Sequence, residues 1–222
     1  MIIVSSLKDF PSICESVNPS HLISVIDPGF QPTTPSNIEK HLKLGFDDIV
    51  EIKDDNFIHR DNNSIIKSES DFKQILPNRE HIKKIIDFVS TWDQSNPMLI
   101  HCWCGVSRSM ATAIFILCKI NPNNTDSNVK YMRHIAPHAN PNRLMVSMFE
   151  EYLDIPGEIN EALKKYPYTV TYDCEINFAP VSIFSTKEMI KYMELHIIYF
   201  LLPRIITWKS ASKQKRANQF HL

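Results

Sequence analysis

The chain has 222 residues, of which 43% are hydrophobic and 22% charged, and its formal net charge is -1. This length and apolar content suit one globular domain with a sizeable core. The near-zero net charge gives no overall attraction to nucleic acid or to an anionic membrane. With only 4 glycines, the chain is also unlike a low-complexity linker protein.

The cysteines indicate a reducing compartment. Their count is odd, their spacing is irregular, and the N-terminus MIIVSSLKDF has no basic segment of the kind that begins a signal peptide. We therefore expect no secreted disulfide framework and a cytoplasmic location. The five cysteines are Cys14, Cys102, Cys104, Cys118 and Cys174.

The first half of the chain predicts three strands. Ile2–Ser5 and residues 22–26 are short apolar runs, and Asp27-Pro28-Gly29 ends the second run with a turn signal. Residues 41–46 alternate polar and apolar side chains, which is typical of a strand. The polar stretch 51–71 is rich in Asp, Asn and Ser and predicts a long surface loop.

The second half predicts helices around a central strand. A helix opens at Pro77, Met98–His101 forms a strand, and the nearly all-apolar segment Arg108–Ile120 forms a buried helix. Two more helices are expected over residues 126–135 and 141–153. The fold class is therefore α/β, with a central, mainly parallel sheet flanked by helices on both faces.

The predicted domain covers residues 1–180, and residues 181–222 form a C-terminal tail of unknown role. Within the tail, residues 195–206 are apolar but shorter than the roughly 18 residues that a membrane span needs. A docked amphipathic segment is the favoured interpretation. A contact with a membrane surface or a partner, helped by the basic residues after position 208, is the alternative.

The segment HCWCGVSRS places Cys102 at a strand end and Arg108 at the start of a buried helix. A helix N-terminus offers unpaired N–H groups and a positive dipole end, and a tight loop before it forms a nest for phosphate oxygens. Arg108 adds a planar fork that binds two oxygens, and Gly105 allows close backbone approach. The predicted substrate-binding residues are Trp103, Cys104, Gly105, Val106, Ser107 and Arg108.

The same surroundings favour the thiolate form of Cys102. A thiolate beneath a bound phosphate can attack phosphorus in line and give a phosphocysteine that water then hydrolyses. Ser109 can donate a hydrogen bond that helps the thiolate leave, and Ser107 stiffens the loop. His101 is expected to hold the loop from behind, and no metal site or cofactor is expected, because Cys-x-Cys without a second ligand pair is a poor zinc pattern.

HCWCGVSRS resembles the H-C-x5-R-S signature of protein tyrosine phosphatases, in the compact dual-specificity-like branch. The segments HLISVIDP, HLKLGFDDI, MLIHCWCGVSRSMATAI and IAPHANPNRLMV are similar to those of small bacterial tyrosine phosphatase-like proteins. The likeness covers roughly residues 1–180. It implies the phosphatase α/β/α fold, no metal, and Cys102 and Arg108 as nucleophile and phosphate-binding residue.

The resemblance also implies an aspartic acid that protonates the leaving oxygen. By analogy the acid follows the strand HLKLGF, which selects Asp48, with Asp47 next to it. Asp48 lies further before Cys102 than is usual in the family, and Asp71 lies nearer the usual separation. All three are candidates, and Asp48 is the first choice.

Two residues near the nucleophile have alternative interpretations. Cys104 could capture an oxidised Cys102, but cysteines two positions apart in a tight loop bridge poorly, so core packing is favoured. Asn142, followed by Arg143 at a helix start, could line the pocket, although a capping role is favoured.

The sequence therefore predicts a phosphatase acting on protein phosphotyrosine, with phosphoserine and phosphothreonine as further substrates. The expected partner is a phosphorylated protein or peptide, and no nucleic acid. One alternative is a phosphate-binding module without turnover, and another is a rhodanese-type sulfurtransferase.

Overall fold

A computed structural model describes residues 1–51, 74–172, 174 and 177–192. The chain divides into two compact units, Met1–Phe184 and Ser185–Leu222. All the predicted site residues that the structure describes lie in the first unit. The apolar run 195–206, the basic residues after position 208 and nearly all of the predicted 51–71 loop lie outside the described residues.

A sheet of five strands forms the centre of the first unit, in the order β3-β2-β4-β1-β5. The strands are β1 (Ile2–Ser5), β2 (His21–Ile26), β3 (Lys40–Gly45), β4 (Met98–His101) and β5 (Ser182–Phe184). β1 to β4 are parallel, and β5 joins β1 antiparallel. Every residue of β1, β2 and β4 is buried, as expected for parallel strands covered on both faces.

Helices cover the sheet. They are α1 (Phe10–Val17), α2 (Arg79–Ser90), α3 (Arg108–Ile120), α4 (Thr125–Ile135), α5 (Arg143–Leu153) and α6 (Glu158–Lys165). Phe10 and Cys14 of α1 pack against Ile3 and Leu99 of the sheet. Because side chains alternate along a strand, Ile2 and Val4 point to the opposite face. The buried helix α3 packs against β1, β2 and β4.

The predicted fold class is confirmed, and the differences lie mainly at helix starts. α2 begins at Arg79 rather than Pro77, because Asn78 caps it by accepting a hydrogen bond from the amide of His81. α5 begins at Arg143 because Asn142 caps it in the same way. Sequence analysis missed the short helices α1 and α6.

Strand β5 lies within the stretch that sequence analysis assigned to the tail. Three residues give too short a run to show a strand pattern, and the hydrogen bonds to β1 define it. The unit that contains the sheet therefore extends to Phe184, four residues past the predicted boundary. Among the described residues, no helix is both long and apolar enough to cross a bilayer.

The parallel strands bring four loops to one edge of the sheet. His101, the last residue of β4, is in register with Ser5 of β1 on one side and Ser24 of β2 on the other. The residues that follow these strands therefore meet where Cys102 begins its loop. Asp27 follows β2, and Phe46 to Asp48 follow β3.

Candidate active site

Cys102 lies at the bottom of the loop formed by residues 102–107, between β4 and α3. It is 2% exposed, and its Sγ accepts a hydrogen bond from the amide of Gly105 at 3.2 Å. The Oγ of the buried Ser109 lies 3.1 Å from the same sulfur. Two polar groups, one of them an amide donor, therefore contact the sulfur.

Gly105 is required by the packing of this loop. Its φ is +79°, in the left-handed region, and a Cβ would lie 3.0 Å from the carbonyl carbon of Ser5. The close approach is therefore to the end of β1, whereas sequence analysis attributed it to the ligand.

Arg108 is held at one end of its guanidinium group. Nη1 donates to Asp27 Oδ1 at 2.6 Å and to the carbonyl oxygen of Phe46 at 2.5 Å. Nε is buried and has no hydrogen-bond partner among the described residues, although Asp48 Oδ2 lies 3.8 Å away. Because an unpaired buried N–H of a charged group is costly, Nε marks a place for an anionic acceptor.

Asp48 lies beside the loop. Its Oδ1 accepts hydrogen bonds from Ser107 Oγ at 2.7 Å and from Asn142 Nδ2 at 2.9 Å. Asn142 therefore caps α5, which is the interpretation that sequence analysis favoured, and it also holds Asp48. Arg143 is exposed at the first position of α5.

Asp47 has a different role from Asp48. Its carboxylate accepts from the amide of Ile75 at 2.6 Å, and its own amide donates to the carbonyl of Ile75 at 2.8 Å. The chain thus returns to the same place after residue 47, which accounts for the large separation between Asp48 and Cys102. Asp71 lies outside the described residues.

A chain of hydrogen bonds crosses the sheet behind Cys102. His101 Nδ1 lies 3.3 Å from the carbonyl of Cys102, and Nε2 lies 2.6 Å from Ser24 Oγ, which in turn contacts His41 Nε2 at 2.7 Å. His41 Nδ1 reaches Thr34 Oγ1 at 3.0 Å. Because a carbonyl only accepts, Nδ1 of His101 donates, and the whole chain is satisfied with both imidazoles neutral.

Burial keeps these imidazoles neutral. It lowers the pKa of His101 to about 4, and it also lowers the pKa of His41 to about 4, with nearby Lys43 adding to the effect. The ring of His101 also stacks on Phe10 at 4.3 Å between centroids. His101 therefore contacts the loop from behind, in the position that sequence analysis expected.

Aromatic rings stand at the edge of the loop. Trp103 is half-buried, and Phe30 meets it edge-to-face at 5.4 Å between ring centroids. Phe30 is 57% exposed, and its amide closes a turn with the carbonyl of Asp27. One turn thus carries both the carboxylate that binds Arg108 and an exposed aromatic ring.

Comparisons with known proteins give structural matches only. No family model and no curated sequence matches the chain. The structure of DUSP15 is 17% identical, with a TM-score of 0.48 over 76% of this chain and 94% of that one. The structure of PTPMT1 in complex with PI(5)P is 12% identical, with a TM-score of 0.49 over 72% of this chain and 93% of that one.

A third structure, the human tyrosine phosphatase-like serine/threonine/tyrosine-interacting protein, is 16% identical, with a TM-score of 0.46 over 68% of this chain and 86% of that one. At such identities the likeness concerns the fold alone.

Two features of the candidate site were missed by sequence analysis. Sequence analysis treated Asp27 only as part of a turn signal. Asp27 directly follows a buried strand, at the same edge of the sheet as Cys102, and this position could have indicated the contact with Arg108. The second feature is a disulfide between Cys104 and Cys174. It corrects the interpretation of Cys104, whose sulfur neither packs as a free thiol nor faces Cys102.

Proposed function

We propose that the chain is a cysteine-dependent phosphatase that hydrolyses phosphomonoesters through a phosphocysteine. The observation that carries this proposal is the buried sulfur of Cys102 in the loop that leads to Arg108, whose Nε has no hydrogen-bond partner among the described residues. The amide of Gly105 donates to the sulfur, the hydroxyl of Ser109 contacts it, and Asp27 holds Arg108 in place through Nη1. No metal or cofactor is needed for this chemistry.

In the first half of the reaction, the Cys102 thiolate attacks phosphorus, and the bond from phosphorus to the ester oxygen breaks. Nε of Arg108 and the amides of the 102–107 loop bind the phosphoryl oxygens as their charge grows. Asp48, in its protonated form, gives its proton to the departing oxygen. The products are an alcohol or phenol and the phosphocysteine.

In the second half, water attacks the phosphocysteine while Asp48, now a carboxylate, accepts the water proton. The sulfur leaves as a thiolate, and the hydroxyl of Ser109 donates a hydrogen bond to it at the distance already present, 3.1 Å. Inorganic phosphate departs, and the enzyme regains its initial state. Ser107 and Asn142 keep Asp48 in position for both steps.

The proposed substrate is phosphotyrosine in proteins or peptides, with phosphoserine and phosphothreonine as further substrates. The loop residues WCGVS carry no Lys or Arg to bind a second phosphate, and the exposed ring of Phe30 beside Trp103 offers an apolar surface to an aryl ester. We further propose a cytoplasmic location, since Cys102 must stay reduced to act.

Asp48 lies further before Cys102 than is usual in the family, and this was the reason to consider a phosphate-binding module without turnover. The contacts of Asp48 with Ser107 and its proximity to Arg108 favour an enzyme instead. A rhodanese-type transferase has no use for an acid there.

The test is phosphate release by wild type, Cys102→Ser and the control Cys118→Ser from a phosphotyrosine peptide, its phosphoserine counterpart and phosphoinositide vesicles. We expect turnover of the phosphotyrosine peptide by wild type and Cys118→Ser and none by Cys102→Ser. Tight binding of the phosphopeptide without turnover by any protein would establish the module, and preference for the vesicles would overturn the substrate assignment.

A further inference from the structure

The disulfide between Cys104 and Cys174 joins the 102–107 loop to a segment 70 residues later in the chain. The Cα atoms are 5.5 Å apart, within the usual range for such a bond. All five cysteines are described, and the other three are free and buried. Cys104 is 6% exposed, whereas Cys174 is only half-buried.

The segment before Cys174 is attached along its length. We call residues 166–172 together with Cys174 the strap. Its first carbonyl, of Tyr166, accepts from Arg133 Nε at 2.7 Å, and the amide of Thr169 donates to Pro137 at 2.9 Å. The ring of Tyr172 meets His138 edge-to-face at 5.3 Å. The disulfide is thus the last of a series of contacts.

The strap reaches the active loop by two routes. One is the covalent bond to Cys104. The other passes through residues 137–140, since the amide of Asn140 donates to the carbonyl of Val106 at 2.9 Å. Cys104 and Val106 flank Gly105, whose amide donates to Cys102 Sγ. Both routes therefore hold the peptide units around the Gly105 amide, which contacts the sulfur of Cys102.

We propose that Cys104–Cys174 is a thiol–disulfide exchange site that controls the thiolate form of Cys102 through the amide of Gly105. When the disulfide is closed, the loop is held and the amide stays on the sulfur. When it is reduced, the strap loses its covalent end, and the Gly105 amide spends less time on Cys102. The proposal concerns the thiolate of Cys102. Only the effect of that change on the rate of hydrolysis rests on the proposed phosphatase function.

The exchange proceeds with a thiol reductant, such as a low-molecular-weight or protein dithiol. Its thiolate attacks the Sγ of Cys174, the more exposed of the two, and the bond to Cys104 breaks. Cys104 leaves as a thiolate and takes up a proton, and the second thiol of the reductant releases Cys174. Two electrons and two protons pass to the cysteine pair, and the reductant becomes a disulfide.

The remaining cysteines are poor competitors for this exchange. Burial raises the pKa of Cys118 to about 12, and burial together with Glu15 raises the pKa of Cys14 to about 11, so both stay as inert thiols. Cys102 is only 2% exposed, so an external thiol reaches its sulfur less readily. The half-buried Cys174 is therefore the sulfur that an external thiol meets first.

The test uses the full chain and measures the thiolate of Cys102 directly. Peptide mapping without reductant should find a linked peptide containing Cys104 and Cys174, and a dithiol should remove it. The absorbance of thiolate at 240 nm, lost on alkylation of Cys102, is then compared at pH 6.5 for oxidised wild type and for Cys104→Ser/Cys174→Ser, which lacks the disulfide and adds no thiol. We expect at least a threefold smaller signal in the double variant.

The matched control is Cys118→Ser, in which a buried free thiol near Asn128 is replaced and the signal should match wild type. If the double variant does not fold, reduced wild type gives the same comparison, with alkylation mapped to each cysteine. Absence of the linked peptide, or equal Cys102 signals with and without the disulfide, overturns the proposal. Because the readout needs no turnover, it stands apart from failure of the phosphatase assay.

Discussion

In the proposed reaction, Asp27 acts through Arg108 rather than by touching the substrate. Its carboxylate and the carbonyl of Phe46 both accept hydrogen bonds from Nη1, and neither accepts one from Nε. Nothing in the sequence motif requires this partner, which comes from a different strand. The rigid placement of a guanidinium lowers the entropy lost when an oxyanion binds.

Asp27→Ala is therefore expected to lower kcat/KM by roughly 10- to 100-fold, because a misplaced Arg108 loses transition-state contacts. Asp27→Asn keeps one acceptor oxygen for Nη1 and should lose less. The measurement is steady-state hydrolysis of p-nitrophenyl phosphate, with inhibition by inorganic phosphate as the binding readout. Asp126→Ala, which removes an ion pair with Lys165 on the surface, is the control. Equal rates for wild type and Asp27→Ala would contradict this role.

Asp48 is expected to matter most when the leaving group is a poor one. Asp48→Asn should reduce kcat by roughly 100-fold or more on phenyl phosphate and less on p-nitrophenyl phosphate, whose phenolate departs without a proton. The variant should also lose the basic limb of its rate profile, which reports the acid. These two readouts come from rates measured across pH on both esters.

The neighbouring carboxylate provides the comparison. Asp47→Asn should keep the rate profile of wild type, because Asp47 binds the amide of Ile75 rather than the loop. If instead Asp47→Asn loses the basic limb and Asp48→Asn does not, the two roles must be exchanged.

Among the elements, the strands and helices with strong patterns were predictable and the caps were not. β1, β4 and α3 match the predicted ranges because apolar runs and the switch of period at Cys102 define them. The start of α2 depends on whether the side chain of Asn78 accepts a hydrogen bond from the amide of His81, and a composition pattern does not show this. α1 is only 8 residues long, too short for a clear periodicity.

The contacts between elements explain which parts of the site could not be predicted from the sequence. Cys102, Arg108 and Ser109 lie within one local motif, so their proximity follows from strand, loop and helix alone. Asp27 and Cys174 approach that motif only through the strand order and the path of the strap. Separations of 81 residues for Asp27 and Arg108 and 70 for the disulfide carry no local signal.

The histidine chain across β4, β2 and β3 gives a prediction about stability and pH. In the folded protein the pKa of His41 and of His101 is about 4, below the ordinary value of 6.5. Between these values the unfolded chain binds more protons, so the free energy of unfolding is highest above about pH 6.5 and falls as the pH drops towards 4. Urea unfolding at several pH values measures this fall.

The variant His41→Gln tests how much one imidazole contributes to the fall in the free energy of unfolding. It removes up to one proton from the difference between unfolded and folded chains, so the slope of stability near pH 5 should decrease by up to about 1.4 kcal/mol per pH unit. Lys43→Gln, at an exposed position of the same strand, keeps the imidazole and should retain most of the slope. An unchanged slope in His41→Gln would show that His41 is protonated in the folded state.

For the whole molecule, the extent of the first unit is set by β5 rather than by the end of the recognisable motifs. Phe184 is fully buried, pairs with Ile2 of β1 and meets the ring of Tyr131 at 6.2 Å. β5 also covers an edge of the sheet that would otherwise expose the backbone groups of β1. The resemblance to known phosphatases ends near residue 180 and therefore stops just short of this strand.

Two truncated chains test whether the first unit needs β5 or ends near residue 180, where the sequence resemblance does. A chain ending at Thr186 keeps β5 and leaves two residues beyond it, so that the terminal carboxylate stays off the sheet. A chain ending at Pro180 loses the buried ring of Phe184 and the pairing with β1, which should cost at least about 3 kcal/mol and lower Tm by roughly 6–12 °C relative to the longer chain. Thermal unfolding of the two chains side by side, followed by circular dichroism, gives the difference. Equal Tm values would mean that β1 is stable as an edge strand and that the unit ends where the sequence resemblance does.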